Sequence, residues 1–189
     1  MSDKIKIGLI YGSTREGRFC DKVAAWAAEQ IAVNGQFSFE IIDPAAVAEQ
    51  STNGREDAQA SLRQRIHEAE AYVVVTPEYN HGYPAPLKSL IDSFGPEWHA
   101  KPVAFVSYGG VSGGLRAVEQ LRLVFAELHT VTIGNSVSFA SAWEQFDGAG
   151  HLREPDRPAR SMKALLRQLH WWAIALRAAR HALPFASAA

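Results

Sequence analysis

The feature that most constrains this chain is an alternation, repeated five times, of short β-branched runs with segments whose apolar residues recur at helical spacing. Lys4 to Tyr11 reads as a strand, and Val23, Ala24, Ala27 and Ile31 behind it fall on one helical face. Phe37 to Ile42 is a second strand, followed by a stripe of Ala58, Leu62, Ile66 and Ala69. Ala71 to Thr76 is apolar almost throughout, as a central strand covered on both faces must be. Pro86 suits the first turn of a helix bearing Leu87, Leu90, Ile91 and Phe94. Pro102 to Tyr108 is the fourth strand. Ser112 then caps a helix whose expected buried face is Leu115, Val118, Leu121, Phe125 and Leu128. Val131 to Phe139 holds a fifth strand, interrupted near Gly134-Asn135. After a loop of about twenty residues, Met162, Leu165, Leu166, Leu169, Trp172, Ala173 and Leu176 mark the last helix; a loop that long is usually functional or an interface. This alternation implies an α/β fold, a doubly wound parallel sheet with helices on both faces. Ligands in such folds sit beyond the C-terminal strand ends, where the strand order reverses.

At 189 residues and 47% hydrophobic content the chain can bury a core unaided, and it carries no repeat or linker that would divide it. One domain over residues 1–189 is expected, with Ser187-Ala188-Ala189 as a short flexible tail. Nineteen basic against twenty acidic residues, a net charge of −1, argue against a nucleic-acid partner. The single Cys20 excludes an intramolecular disulfide framework and suits a reducing compartment. The start enters an apolar strand directly, and no apolar run approaches the roughly 20 residues that span a bilayer. A cytoplasmic protein without membrane contact is the expectation.

Three segments fall at the expected ligand face. Gly12-Ser13-Thr14-Arg15-Glu16-Gly17-Arg18 leaves strand one and enters helix one, where amide N–H groups, hydroxyls and a positive dipole end suit a phosphate. Arg15 and Arg18 add charged donors, although a glycine-rich turn with solvated arginines would read the same way. The loop is no Walker motif, since Arg18-Phe19 stands where Lys and Ser/Thr are required. A phosphatase Cys-x₅-Arg loop is also excluded, because Trp26 holds the arginine's place; Cys20 is read as a small packed residue. The second segment is Thr76-Pro77-Glu78-Tyr79-Asn80-His81-Gly82-Tyr83-Pro84, and the third is Ser107-Tyr108-Gly109-Gly110-Val111-Ser112-Gly113-Gly114. Glycines admit close backbone approach and aromatic rings border flat ligands. Tyr79, Tyr83 and Tyr108 read equally as half-buried packing, Asn80-His81-Gly82 as turn chemistry and Glu78 as a surface carboxylate. No nucleophile elbow or metal-ligand spacing is present, so neither catalytic side chain nor metal is assigned.

Taken together, Gly12-Ser13-Thr14-Arg15-x-Gly17-Arg18, Pro77-Glu78-Tyr79-Asn80, Pro84-x-Pro86-Leu87-Lys88-x₃-Asp92 and Tyr108-Gly109-Gly110-x-Ser112-Gly113-Gly114 resemble the NADPH-dependent FMN reductases of the flavodoxin-like superfold, from Ile5 to about Phe139. The resemblance implies a five-stranded sheet of order 2-1-3-4-5. It further implies that Ser13, Arg15 and Arg18 hold the FMN phosphate. Pro77, Glu78, Tyr79 and Asn80 would line the ribityl and isoalloxazine, with Gly109, Gly110 and Ser112 at the other ring edge. NADPH, or NADH, would be the electron donor and a small molecule such as a flavin or quinone the acceptor. The alternatives are a flavodoxin-type electron carrier, which a near-neutral charge disfavours, and a flavin-bound redox sensor. Arg116, one turn into its helix, meets the nicotinamide nucleotide's phosphates or is a solvated helix residue, the second being favoured. The apolar helix Leu87–Phe94 and Trp143, Trp171 and Trp172 are the candidate surfaces for a homodimer or homotetramer, although the tryptophans read as intramolecular core as well, equally so for Trp171 and Trp172. The stretch 140–158 matches none of these motifs.

Overall fold

The computed structural model describes residues 4–46 and 55–185; the expected tail Ser187-Ala188-Ala189 lies outside them. Five strands, β1 (Ile5–Tyr11), β2 (Phe37–Ile42), β3 (Ala71–Pro77), β4 (Pro102–Gly109) and β5 (Val131–Ala140), form one sheet of order β2-β1-β3-β4-β5. Every adjacent pair is parallel. The order reverses between β1 and β3, which places the crevice where the first and third strands end. This is the flavodoxin-like arrangement the motifs imply.

Helices cover both faces, and the core divides accordingly. On one side α1 (Cys20–Asn34) and the long α6 (Asp156–Ala182) pack Val23, Ala27, Ile31, Leu165 and Leu169 against Leu9, Val73 and Val106. On the other, α2 (Arg55–Glu68), α3 (Ala85–Asp92) and α4 (Leu115–Glu127) seat Leu62, Ile66, Leu87, Ile91, Leu121 and Phe125 against Ile10, Val74 and Phe105. The third strand is buried at all seven positions, which explains its unbroken apolar run.

Several expectations need correction. The face of Leu87, Leu90, Ile91 and Phe94 is core, at most 6% exposed, so it offers no oligomer surface. Leu115 is 52% exposed, because it is the first residue of α4 and the buried face of that helix is Ala117, Val118, Leu121 and Phe125. Ser112 is not the side-chain cap of α4; Gly114, in the left-handed region at φ 83°, occupies that position. The interruption near Gly134-Asn135 is a bulge within a continuous β5: Val103 pairs with Thr132 but Phe105 with Ser136, so two extra residues are accommodated. The loop after β5 holds a single helical turn, α5 (Ala142–Gln145), and a bridge between Phe146 and Leu152.

Candidate functional site

Three loops leave the neighbouring ends of β1, β3 and β4, and hydrogen bonds sew them together. In the first, Ser13 is fully buried and its Oγ lies 2.7 Å from the hydroxyl of Tyr79 in the second. The Arg15 guanidinium lies over the Tyr79 ring, 3.6 Å from its centre, a cation–π contact that turns the exposed arginine toward the second loop. Among the described residues no protein acceptor meets the amides of Thr14, Glu16 or Gly17, whereas the Arg15 amide reaches Ser13 Oγ at 3.4 Å. A row of open N–H groups running into α1, beside one outward arginine, suits a phosphate.

Arg18 faces the other way. Its Nε donates to Asp21 at 2.8 Å, and its terminal nitrogens grip both carboxylate oxygens of Asp43 and the Ser13 carbonyl. Burial alone would raise the Asp43 carboxyl, yet the Arg18 contacts and the Ala45 amide hold it below the ordinary carboxylate value. The Arg18 side chain is only 11% exposed. Four of the five guanidinium N–H groups are thereby spent within the protein. Asp43, just past the end of β2, is a site residue that motif reasoning missed. Its only signal in the sequence is an acid at the C-terminal end of the strand beside β1.

The second loop is a two-residue hairpin. Tyr79 and Gly82 exchange both backbone hydrogen bonds, at 2.9 and 3.1 Å. Asn80 and His81 take left-handed φ of 50° and 73°, the geometry of a type I′ turn, so Asn80 stands at an exposed tip. Pro77 closes β3 and is buried opposite Tyr108 in the sheet register. The Tyr108 ring is itself buried, 5.9 Å from the ring of Phe19, and serves packing. Cys20 is buried too, and desolvation raises its thiol above the ordinary value, so the thiolate form is disfavoured there.

Glu78 is no surface carboxylate. It accepts from Ser112 Oγ at 2.7 Å, from the Arg116 guanidinium at 2.9 Å and from the Arg116 amide at 3.2 Å. Burial pushes its carboxyl upward, but these donors outweigh burial and leave it below the ordinary glutamate value. Its own amide donates to the Tyr108 carbonyl at 3.1 Å. The Glu78 and Ser112 side chains therefore tie the second loop to the third, and Arg116 is a partner in that tie.

In the third loop Gly113 and Gly114 both adopt positive φ, and a Cβ on Gly114 would stand 2.9 Å from the Tyr108 amide nitrogen. The Gly113 carbonyl accepts from Ser107 Oγ at 2.8 Å and Ser138 Oγ at 2.9 Å. Gly109 lies close beneath this turn, a Cβ there meeting the Gly114 nitrogen at 3.3 Å. Gly110 is different: a Cβ would touch nothing nearer than the Trp143 ring at 3.8 Å. Packing does not demand a glycine at that position, but a flat ligand approaching the backbone would. Open amides with Arg15 at one end and Gly110 at the other fit the phosphate and ring of FMN. Of the ten residues singled out, nine gather around the three loops, and Arg18 turns toward β2.

Residues 5–144 match the NADPH-dependent FMN reductase family. The NAD(P)H-dependent FMN reductase LOT6 of Saccharomyces cerevisiae is 34% identical over 69% of this chain and 78% of its own length. An NAD(P)H:quinone oxidoreductase of Solanum tuberosum is 37% identical over 56% of this chain and 58% of its own. Among solved structures, the flavoenzyme NAD(P)H:(acceptor) oxidoreductase FerB of Paracoccus denitrificans superposes with a TM-score of 0.68 at 19% identity. That alignment covers 89% of this chain and 97% of FerB, a likeness of fold. The chain belongs to the NADPH-dependent FMN reductase family and is an FMN-dependent NAD(P)H oxidoreductase on a flavodoxin-like fold.

Proposed function

We propose that the three sewn loops hold FMN for the reduction of a small planar acceptor, a quinone or a free flavin, with NADPH or NADH as donor. The carrying observation is the pair of contacts Ser13–Tyr79 and Glu78–Ser112, which fixes the ends of β1, β3 and β4 as one rigid rim. In this reading Ser13, Arg15 and the open amides of the first loop take the phosphate. Pro77, Tyr79 and Asn80 border the tail and ring, and Gly109 and Gly110 lie along the ring's other edge. Arg18, Glu78 and Ser112 position the loops rather than touch the ligand. Bound FMN supplies the hydride and electron chemistry, so the chain contributes orientation and electrostatics and needs no nucleophile.

A single domain carries the whole function in this proposal. No helix among the described residues is long and apolar enough to cross a membrane, and the buried lone thiol suits the cytoplasm. Trp171 and Ile174, 62% and 40% exposed on α6, are the surface for a homodimer or homotetramer, which sedimentation velocity reads directly.

The decisive experiment is the visible spectrum of the purified protein before and after anaerobic NADPH. An oxidised-flavin spectrum that bleaches, followed by steady NADPH oxidation when a quinone is added, is expected. A colourless protein that takes up no FMN, or a flavoprotein whose bands resist NADPH, would overturn the proposal.

A further inference from the structure

The turn after β5 carries an arrangement that neither the sequence motifs nor the three loops account for. Trp143 is 59% exposed, although its neighbours on both sides are fixed firmly. The Ser141 amide donates to the Gly110 carbonyl at 2.9 Å, which also receives the Gly113 amide at 3.0 Å. Gln145 Nε2 donates to the Ala140 carbonyl at 2.6 Å. Phe146 is buried, edge-on to Phe139 at 5.2 Å and to Phe19 at 5.6 Å, and so clamps the turn to the base of the first loop. Lys22 Nζ reaches the carbonyls of Asp147 and Gly148 from α1, each at 3.3 Å. Between these anchors Ser141 adopts φ 45° and ψ 50°, a left-handed conformation that a serine rarely takes.

A large apolar ring left in solvent on a backbone that is both strained and immobilised needs a reason, because a relaxed turn would let the indole fold down. Its position supplies one. The nearest atom to an imagined Cβ on Gly110 is Cη2 of Trp143, which sets the indole against the glycine assigned to the ring edge. The next residue, Val111, is 94% exposed. An exposed indole against Gly110 and an exposed valine at the next position make an apolar step at the rim.

We propose that Trp143 is an acceptor-binding residue: its indole packs on a planar, uncharged, aromatic acceptor entering beside Gly110, and so favours fused-ring quinones over hydrophilic acceptors. The assignment rests on the function proposed above and adds a specificity determinant to it. Its physical basis is the area of an indole and the preference of aromatic rings for offset or edge-on contact. Phenylalanine would keep most of that contact and alanine none.

The test uses the FMN-loaded protein and its Trp143→Ala and Trp143→Phe variants, with 2-methyl-1,4-naphthoquinone and ferricyanide as acceptors. In Trp143→Ala the ratio of kcat/KM for the naphthoquinone to that for ferricyanide is expected to fall about tenfold, with Trp143→Phe recovering most of it. A second readout needs no turnover. Titrating the naphthoquinone without NADPH should quench tryptophan fluorescence saturably in the wild type, and the Trp143→Phe variant should lose that component. Trp26 and Trp98 are buried, and the exposed Trp171 and its neighbour Trp172 are present in both proteins, so the difference between wild type and Trp143→Phe isolates Trp143. An unchanged acceptor ratio, an equal loss for both acceptors, or identical quenching in wild type and Trp143→Phe would each overturn the assignment. So would a shift of Trp143→Ala to a smaller sedimenting species, which would make the indole a contact between copies. Wild-type protein that binds FMN but never oxidises NADPH would defeat the function instead, and the quenching titration would still decide the role of Trp143.

Discussion

Arg15 and Arg18, three positions apart on one loop, are separated in role by what surrounds them. Arg15 is exposed and leans on the Tyr79 ring, so it is free to meet an anion. Arg18 is enclosed by Asp43, Asp21 and the Ser13 carbonyl. In the proposed reading, removing Arg15 deletes a charged donor to phosphate and, within the protein, only an exposed contact with the Tyr79 ring, so Arg15→Ala should weaken FMN about tenfold and change the melting temperature little. Removing Arg18 leaves Asp43 half-buried without its partner. Arg18→Ala should therefore cost about 2 kcal/mol, less than for a fully buried pair, and lower the melting temperature by roughly 4–8 °C. FMN affinity would fall as a consequence of the loosened loop. Melts of the apoprotein beside FMN titrations check both, and the reverse pattern would exchange the two roles. Acid should mimic the Arg18 change. Asp43 is held below its ordinary value, so its stabilisation is complete above that value, 3.8, and disappears as pH falls through the lower folded one.

Among the elements, the β4–α4 turn shows most clearly how a glycine's environment predicts its replaceability. At Gly114 a Cβ would sit 2.8 Å from Ser107 Cβ and 2.9 Å from the Tyr108 nitrogen, on a backbone with φ 83°. Gly114→Ala should cost about 3 kcal/mol through strain and overpacking, and should displace Ser112 and with it Glu78. Gly110→Ala meets no such obstacle and should leave stability within about 1 kcal/mol, while FMN binding weakens because the methyl enters the ligand's space. Thermal melts and FMN titrations of both variants read the contrast; an unaffected FMN affinity in Gly110→Ala would remove that residue from the ring edge. The sequence announced this turn as Gly109-Gly110-x-Ser112-Gly113-Gly114 but could not assign work to each glycine, because that work depends on Ser107 and Ser138 from strands brought in by the sheet. Strand and helix positions were legible for a local reason: periods of two and 3.6 residues and the apolar run of β3 are written in the chain itself. Long-range pairs such as Arg18 with Asp43, or Glu78 with Arg116, were not, since neither partner carries a mark of the other. The tight seat of Trp143 was hidden for the same reason.

The whole molecule has two polar ends that the sheet keeps apart, and they should respond independently. The site occupies the C-terminal strand ends; Lys101 lies just before β4, at the opposite end, about 25 Å away for an eight-residue strand. Lys101 is 6% exposed, and its ammonium donates to the carbonyls of Ile66 and His67 at 3.0 and 2.7 Å and to the Tyr72 hydroxyl at 3.2 Å. These oxygens satisfy its donors without supplying a full counter-charge. The nearby carboxylates are engaged elsewhere, Glu97 with Arg63 and Glu70 with Arg177. Burial, aided by Arg180, pushes its value down to about 7. An unfolded lysine keeps its proton up to about 10.5, so between these values the unfolded chain binds more protons and stability rises with pH. The penalty is complete below pH 7 and fades above it. A Lys101→Met chain lacks the titration, so the wild-type melting temperature should gain on the variant's by about 5 °C between pH 7 and 9. FMN affinity should be the same in both, since no rim contact involves Lys101. Parallel melting curves would show that the three oxygens keep the ammonium charged, whereas a change in FMN affinity would show that the two ends of the sheet are coupled after all.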